Sequence, residues 1–327
     1  MNVRHRGRLR VLGWLALALV GLSLPAAAHA AFPGANGRIA FVRQDLVWPP
    51  PPEHYPVRPP IDPDLVSASI ETVSLMGDRR TLHTFAGAVG EGLNWSPNGR
   101  RLVFEQAGQL AILHHDGTGL RQLPRLTEWD GDPAWSPDGR RLVFAGDLAC
   151  LYCRWLHTVR PDGTGLRLIG RAGAYSPAWS TRGRIAFVND DDQYLLPVPP
   201  ADALYTIRSD GSRLRKLFGR YWGTGWEPDW SPDGSRIAFG ALHRIFALGA
   251  NGRGLRRLTK RYSTPGDGEP TWSPDGRYIA FVRDHDLYVM RSNGRGLRRL
   301  IDVPEEDPND PTRQWTELSS PSWQPLR

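Results

Sequence analysis

Trp135-Ser136-Pro137-Asp138-Gly139-Arg140-Arg141-Leu142-Val143-Phe144 decides the fold, because the chain says it repeatedly. Trp95, Trp230 and Trp272 each open a full copy, and Trp179 opens a shortened one. A headless copy, Asn36-Gly37-Arg38-Ile39-Ala40-Phe41, stands near the start, and a tailless one, Trp323-Gln324-Pro325, stands at the end. Self-similarity at a spacing of about 40 to 50 residues marks a stacked or circular array.

Each copy has a legible local physics. Proline presets φ at the second place of a tight turn, Asp or Asn follows, and Gly closes it. The turn joins a strand ending in Trp-Ser to a strand of the Ile-Ala-Phe type. A second turn follows in each unit: Asp116-Gly117, Asp162-Gly163, Asp210-Gly211, Asn251-Gly252 and Asn293-Gly294, with Met76-Gly77-Asp78 in the first. Flanked by short apolar runs, these read as hairpin turns. One repeat is therefore a four-stranded antiparallel meander.

The units number six by their Ile-Ala-Phe strands and six by their hairpins. The first lacks a Trp strand, and the last Trp strand, Ser322-Trp323, has nothing after it. The ring closes if that strand pairs with the one at Arg38 to Val42. The expected fold is all-β: a six-bladed β-propeller of four-stranded antiparallel blades, closed by the C-terminal strand pairing into the first blade. A ring lets 327 residues fold without one oversized core, because each blade packs only on its neighbours.

Residues 1–30 read as a secretory signal. Arg4, Arg6, Arg8 and Arg10 precede an apolar run from Val11 to Leu24, and Ala28-His29-Ala30 offers a cleavage site. The run is short for a membrane span. The propeller then occupies residues 31–327, in a secreted or periplasmic protein with no membrane span. Loss of the four arginines takes the formal charge from +7 to +3, which gives no argument for a nucleic-acid partner.

Cys150 and Cys153 share one connection. They read as a local disulfide, or with His157 as a partial metal-ligand set that lacks a fourth ligand.

Strand parity separates two faces. The Ser-Pro-Asp-Gly and Asp-Gly turns fall at one end of every blade and are nearly constant in length. The Pro-dense stretch Trp48 to Pro63, the Cys-bearing connection, the insertion from Asn189 to Ala203 and the acidic loop from Asp302 to Ser320 all fall at the other end. Variable loops on a rigid scaffold are the usual seat of function. Trp48, Trp129, Trp222, Trp226 and Trp315, with Tyr221, lie on that side outside the repeat pattern. They read as partner-binding anchors or as residues that pack the loops. The repeat tryptophans read as packing residues.

Glu91, Asp132, Glu227 and Glu269 stand just before repeat tryptophans. They are expected to place carboxylates around the mouth of the central channel, either to hold a cation or amine or to accept loop N–H groups. Tyr175 and Ser320 interrupt this ring. His243 and His285 sit in connections at positions that do not correspond in the repeat. Outer strands carry Arg121, Arg167, Arg215, Lys216, Arg256, Arg257, Arg298 and Arg299, which fit anionic partners or protection of the outer edge.

The pattern W-S-P-D-G-x-x-I-A-F followed by L-Y-V-M-x-x-x-G-x-x-x-R-R-L resembles the WD40-like repeat of the TolB type. The resemblance covers nearly all of the chain after residue 30 and implies six blades. TolB carries a small α/β domain ahead of its propeller, for which only about seven residues are available here. No G-x-S-x-G and no H-E-x-x-H motif occurs. The expected function is a non-catalytic, monomeric propeller without cofactor or bound metal, binding a protein, peptide or glycan of the cell envelope on its long-loop face. The alternative is a lactonase-like hydrolase with a channel metal, drawing on Glu91, Asp132, Glu227 and Glu269 with His243 or His285.

Overall fold

A computed structural model describes residues 32–47, 64–90, 92–147, 154–189, 203–219, 227–260, 266–304 and 314–326. It contains six four-stranded antiparallel sheets. Five are sequential meanders, whose innermost strands are Asn94–Trp95, Asp130–Trp135, Ala174–Trp179, Asp229–Trp230 and Asp267–Trp272 (blades 2 to 6). Blade 1 is assembled from both ends of the chain: Gln314–Leu326 pairs with Ala35–Val47, followed by Asp64–Val73 and Arg79–Phe85. Trp323 lies opposite Ile39, and Ser322 opposite Ala40, which closes the ring as expected.

The Ser-Pro-Asp-Gly turn explains its own recurrence. Ser136 Oγ donates to Asp138 Oδ1 at 2.6 Å and accepts the Arg141 N–H at 2.8 Å. Asp138 Oδ1 also accepts the Arg140 N–H at 3.0 Å, and Gly139 takes φ of 66°. That left-handed conformation suits glycine. The same bonds recur at Ser96 with Asn98, Ser231 with Asp233 and Ser273 with Asp275.

Alternation along each Ile-Ala-Phe strand then builds the cores. Ile39 and Phe41 pack toward blade 6 with Leu287 and Trp323, while Ala40 and Val42 pack toward blade 2 with Trp95 and Phe104. Successive side chains on a strand point to opposite faces, so one strand feeds two interfaces. There are six apolar clusters among the described residues, one per blade interface. The repeat tryptophans are buried in these clusters, with Trp95, Trp135 and Trp230 each 1% exposed.

The rim arginines have a specific task. Arg121 donates to the carbonyl of Pro161 at 2.6 Å, Arg215 to Asn251 at 2.8 Å, Arg256 to Asn293 at 3.1 Å and Arg298 to Leu75 at 2.6 Å. Each bond runs from an outer strand to the hairpin turn of the next blade, and the last crosses from blade 6 to blade 1. These four are inter-blade clasps rather than a free anionic-partner site.

Candidate functional site: the channel mouth and the cavity beside it

The channel wall is built from the residue three places before each repeat Trp. These six are Gly92, Asp132, Ser176, Glu227, Glu269 and Ser320. Pro follows all but the first. Where the chain passes this point, pairing with the second strand slips, as between Gly131 and Ala134 or between Gly268 and Thr271. The slip is a β-bulge, a place where proline's missing N–H is tolerated. Asp132, Ser176, Glu269 and Ser320 all take positive φ there, from 47° to 52°, and Gly92 takes 83°. Non-glycine residues rarely adopt this conformation.

The bulged side chains reach sideways. Asp132 Oδ2 accepts the N–H of Ser176 at 3.0 Å, Glu269 Oε2 accepts that of Ser320, and Ser320 Oγ accepts that of Gly92 at 3.2 Å. A second tier uses the residue directly before three of the repeat tryptophans. Asn94 accepts the Trp135 N–H at 3.1 Å, Asp229 that of Trp272 at 2.7 Å, and Ser322 that of Trp95 at 3.2 Å. Both tiers step from one blade to the next and pass through the closing strand.

The wall lines a cavity of about 120 Å³, with Phe32 among the lining residues. Asp132, Glu227, Asp229 and Glu269 face it, and no Lys, Arg or His lines it among the described residues. Burial pushes the Asp229 carboxyl up to about 6, against the opposing hydrogen bonds from Trp272, Thr271 and Trp230. Burial likewise raises Asp132.

Beside the mouth lies a larger cavity of about 510 Å³, lined by Gln44, Gly266, Glu269, Asp284, His285 and Glu317 among others. Its wall on one side is blade 1. The paired strands of that blade have 13 residues each, against six at most in blades 2 to 6, so the blade stands above its neighbours on the long-loop side. Asp45 ties this extension together, accepting from Thr316 and Ser67 at 2.7 Å each and pairing with Arg43 at 2.8 Å. Nearby, Arg283 is buried and paired with Asp267, its Nη2 at 2.9 Å from Oδ2. Its charge is thus answered inside the wall, and among the described residues the cavity lining carries Glu269, Asp284 and Glu317 without Lys or Arg. Burial raises the Asp284 carboxyl, and neighbouring Asp267 and Asp286 push in the same direction.

Several sequence expectations change. Glu91 lies outside the described residues, and Gly92 rather than Glu91 occupies the channel-wall position of blade 2. Ser176, not Tyr175, breaks the carboxylate ring in blade 4. Asp229 belongs to the site and was missed, because it precedes Trp230 directly instead of standing at the bulge. His243 and His285 do correspond: Leu242-His243 and Asp284-His285 occupy the same tight turn of blades 5 and 6, all four with positive φ. His285 lines the larger cavity, and neither His lines the channel. Among the described residues no three His, Cys, Asp or Glu side chains converge as metal ligands.

Trp48, Tyr221, Trp222, Trp226, Cys150 and Cys153 lie outside the described residues. His157 is a core residue, 2% exposed, stacked on Phe144 and bonded through Nδ1 to the Trp155 carbonyl at 2.9 Å. Trp129 is half-buried, with its ring laid on Gly131 so closely that a Cβ there would overlap it. The Arg154 guanidinium covers the ring at 4.3 Å, so packing accounts for Trp129. Trp315 is on a strand rather than in a loop. It stands opposite Leu46, with its indole N–H donated at 3.2 Å to Glu317, a residue that lines the larger cavity.

No sequence family and no curated protein matches this chain. Solved structures do. TolB from Acinetobacter baumannii superposes with a TM-score of 0.65 at 16% identity, over 88% of this chain and 67% of that one. A protein assigned as TolB from Agrobacterium tumefaciens gives 0.61 at 18% identity, over 89% and 100%. Hydrazine synthase from Kuenenia stuttgartiensis gives 0.63 at 14% identity, over 91% and 48%. At such identities the likeness is one of fold. The chain has a TolB-like propeller fold, and that fold is shared by proteins of different function.

Proposed function

We propose that this protein is an exported, non-catalytic propeller that binds a protein or peptide of the cell envelope on its long-loop face, at the channel mouth and the cavity beside it. The observation that carries this reading is Glu269. It lines both cavities, and together they gather Asp132, Glu227, Asp229, Glu269, Asp284 and Glu317, with His285 beside them and no Lys or Arg in the lining among the described residues. A concave acidic surface of this kind fits a partner segment bearing lysine, arginine or a free amine. Glu317 and Trp315 would contact it from the raised blade. The TolB-like fold and the apolar N-terminal segment support the assignment to the envelope.

Affinity capture from envelope extract identifies the partner, and binding is then measured by calorimetry. The paired substitution Asp284→Asn with Glu317→Gln should weaken binding at least tenfold while the circular dichroism spectrum stays the same. Unchanged affinity in this folded variant would move the site away from the cavity.

A further inference from the structure

We propose that the opposite face, the one made by the short turns, docks on the surface of an anionic phospholipid bilayer.

Two repeated features carry the proposal. The first is charge. The Ser-Pro-Asp-Gly class of turn presents exposed Arg100, Arg140, Arg182 and Arg277, and the Asp-Gly class presents exposed Arg213, Arg253 and Arg295. The first three make no ion pair among the described residues. Aspartates on this face, such as Asp138 and Asp233, are held ionised by Ser hydroxyls and backbone N–H groups. These turns hold seven aspartates, and exposed Arg160, Arg208 and Arg291 beside the hairpins bring the arginines to ten. The two cavities described above are opposite in sign, lined by carboxylates without Lys or Arg among the described residues. The clasp arginines of the rim are occupied in bonds between blades.

The second feature is apolar. Immediately after the hairpin turn, five blades expose one leucine each: Leu120 at 38%, Leu166 at 40%, Leu214 at 39%, Leu255 at 39% and Leu297 at 43%. Blade 1 has no such leucine but exposes Met76, at 93%. A single exposed leucine needs no explanation. Five at corresponding positions stand at one level around the perimeter, because the repeat sets their height. The result is an arc of apolar side chains over five blades, with Met76 in the sixth, interleaved with guanidinium groups. That arrangement matches a planar partner with anionic headgroups above hydrocarbon, where basic residues meet the headgroups and apolar ones reach past them. Duplex nucleic acid would use the arginines but leave most of the leucine arc without a contact.

The test is co-sedimentation with vesicles of phosphatidylcholine, alone or containing about 30% phosphatidylglycerol, with duplex DNA as the competing polyanion. The wild-type protein should sediment with the anionic vesicles only, and about 0.5 M salt should release it. Arg100→Glu, Arg140→Glu and Arg182→Glu combined should weaken binding more than tenfold. Leu255→Gln with Leu297→Gln should weaken it several-fold, with the propeller still folded by circular dichroism. If the triple variant does not fold, the salt titration and the leucine pair decide. Failure to sediment with anionic vesicles overturns the proposal. Equal capture by DNA, with the leucine pair without effect, also overturns it and marks a general polyanion face.

Discussion

Asp229 Oδ2 accepts the backbone N–H of Trp272 at 2.7 Å, joining blades 5 and 6 through a half-buried carboxylate whose pKa is pushed up to about 6. Blade 2 makes the same joint with an amide, Asn94, which accepts the Trp135 N–H. The two residues serve the same bond, but only one of them is ionisable.

The pH dependence follows from that difference. The Asp229 carboxyl rises from 3.8 unfolded to about 6 folded, so between these values the folded state holds the proton more firmly. Stability should fall as pH rises from about 4 to 6 and stay level above, by about 3 kcal/mol at most from this group. Burial also raises Asp132 and Glu105, which adds a slope of the same sign. Asp229→Asn should flatten the slope and raise the melting temperature at pH 8 relative to the parent. A melting temperature at pH 8 below the parent's would mean that the charge itself is needed.

Gly92 tests the channel wall. Its φ is 83°, and a Cβ there would come within 2.6 Å of Asp132 Cα, in the next blade. Neither backbone can yield cheaply, so Gly92→Ala should destabilise by about 2 kcal/mol and lower the melting temperature by about 5 °C. Gly268→Ala is the control. No atom lies within 4 Å of a Cβ there, and its effect should be close to zero. Similar melting curves for the two variants would argue against a tightly fitted wall.

Closure is tested at the C-terminus. Trp323 is 4% exposed in the cluster between blades 6 and 1, and Gln324 donates to the Gly99 carbonyl at 2.8 Å. Trp323→Ala should cost about 3 to 5 kcal/mol. Deletion of Pro321–Arg327 should leave blade 1 with an unpaired edge, measurable as a lower melting temperature and aggregation by light scattering. Truncated protein that melts like the parent would contradict the observed pairing.

The blades were legible in the sequence because their turn chemistry is local: Ser136, Asp138 and Gly139 satisfy one another within four residues. The channel wall was half legible. Carboxylates before the tryptophans were visible, but the bulge fixes which residue faces the channel. In blade 2 the wall position falls on Gly92, one place after the carboxylate that the sequence offered. Asp229 carries no mark that separates it from a strand residue. The larger cavity was not legible at all, since Gln44, Gly266, His285 and Glu317 meet only after the ring has closed. The height of blade 1 escaped for a related reason: the pairing expected over Arg38 to Val42 runs from Ala35 to Val47. Trp129 read equally as a binding anchor or a packing residue, and its seat on Gly131 was not legible because what shapes it is a missing side chain.

The strand that shuts the ring is also the last to be made. Blades 2 to 6 each consist of consecutive residues and can form in order as the chain emerges, but blade 1 waits for Gln314–Leu326. During synthesis its Ala35–Val47 strand therefore has one open edge for almost the whole length of translation. Such an edge pairs readily with other strands. Until Gln314–Leu326 arrives the molecule is an incomplete circle in need of shelter, and a chain ending before Gln314 has no strand to cover that edge.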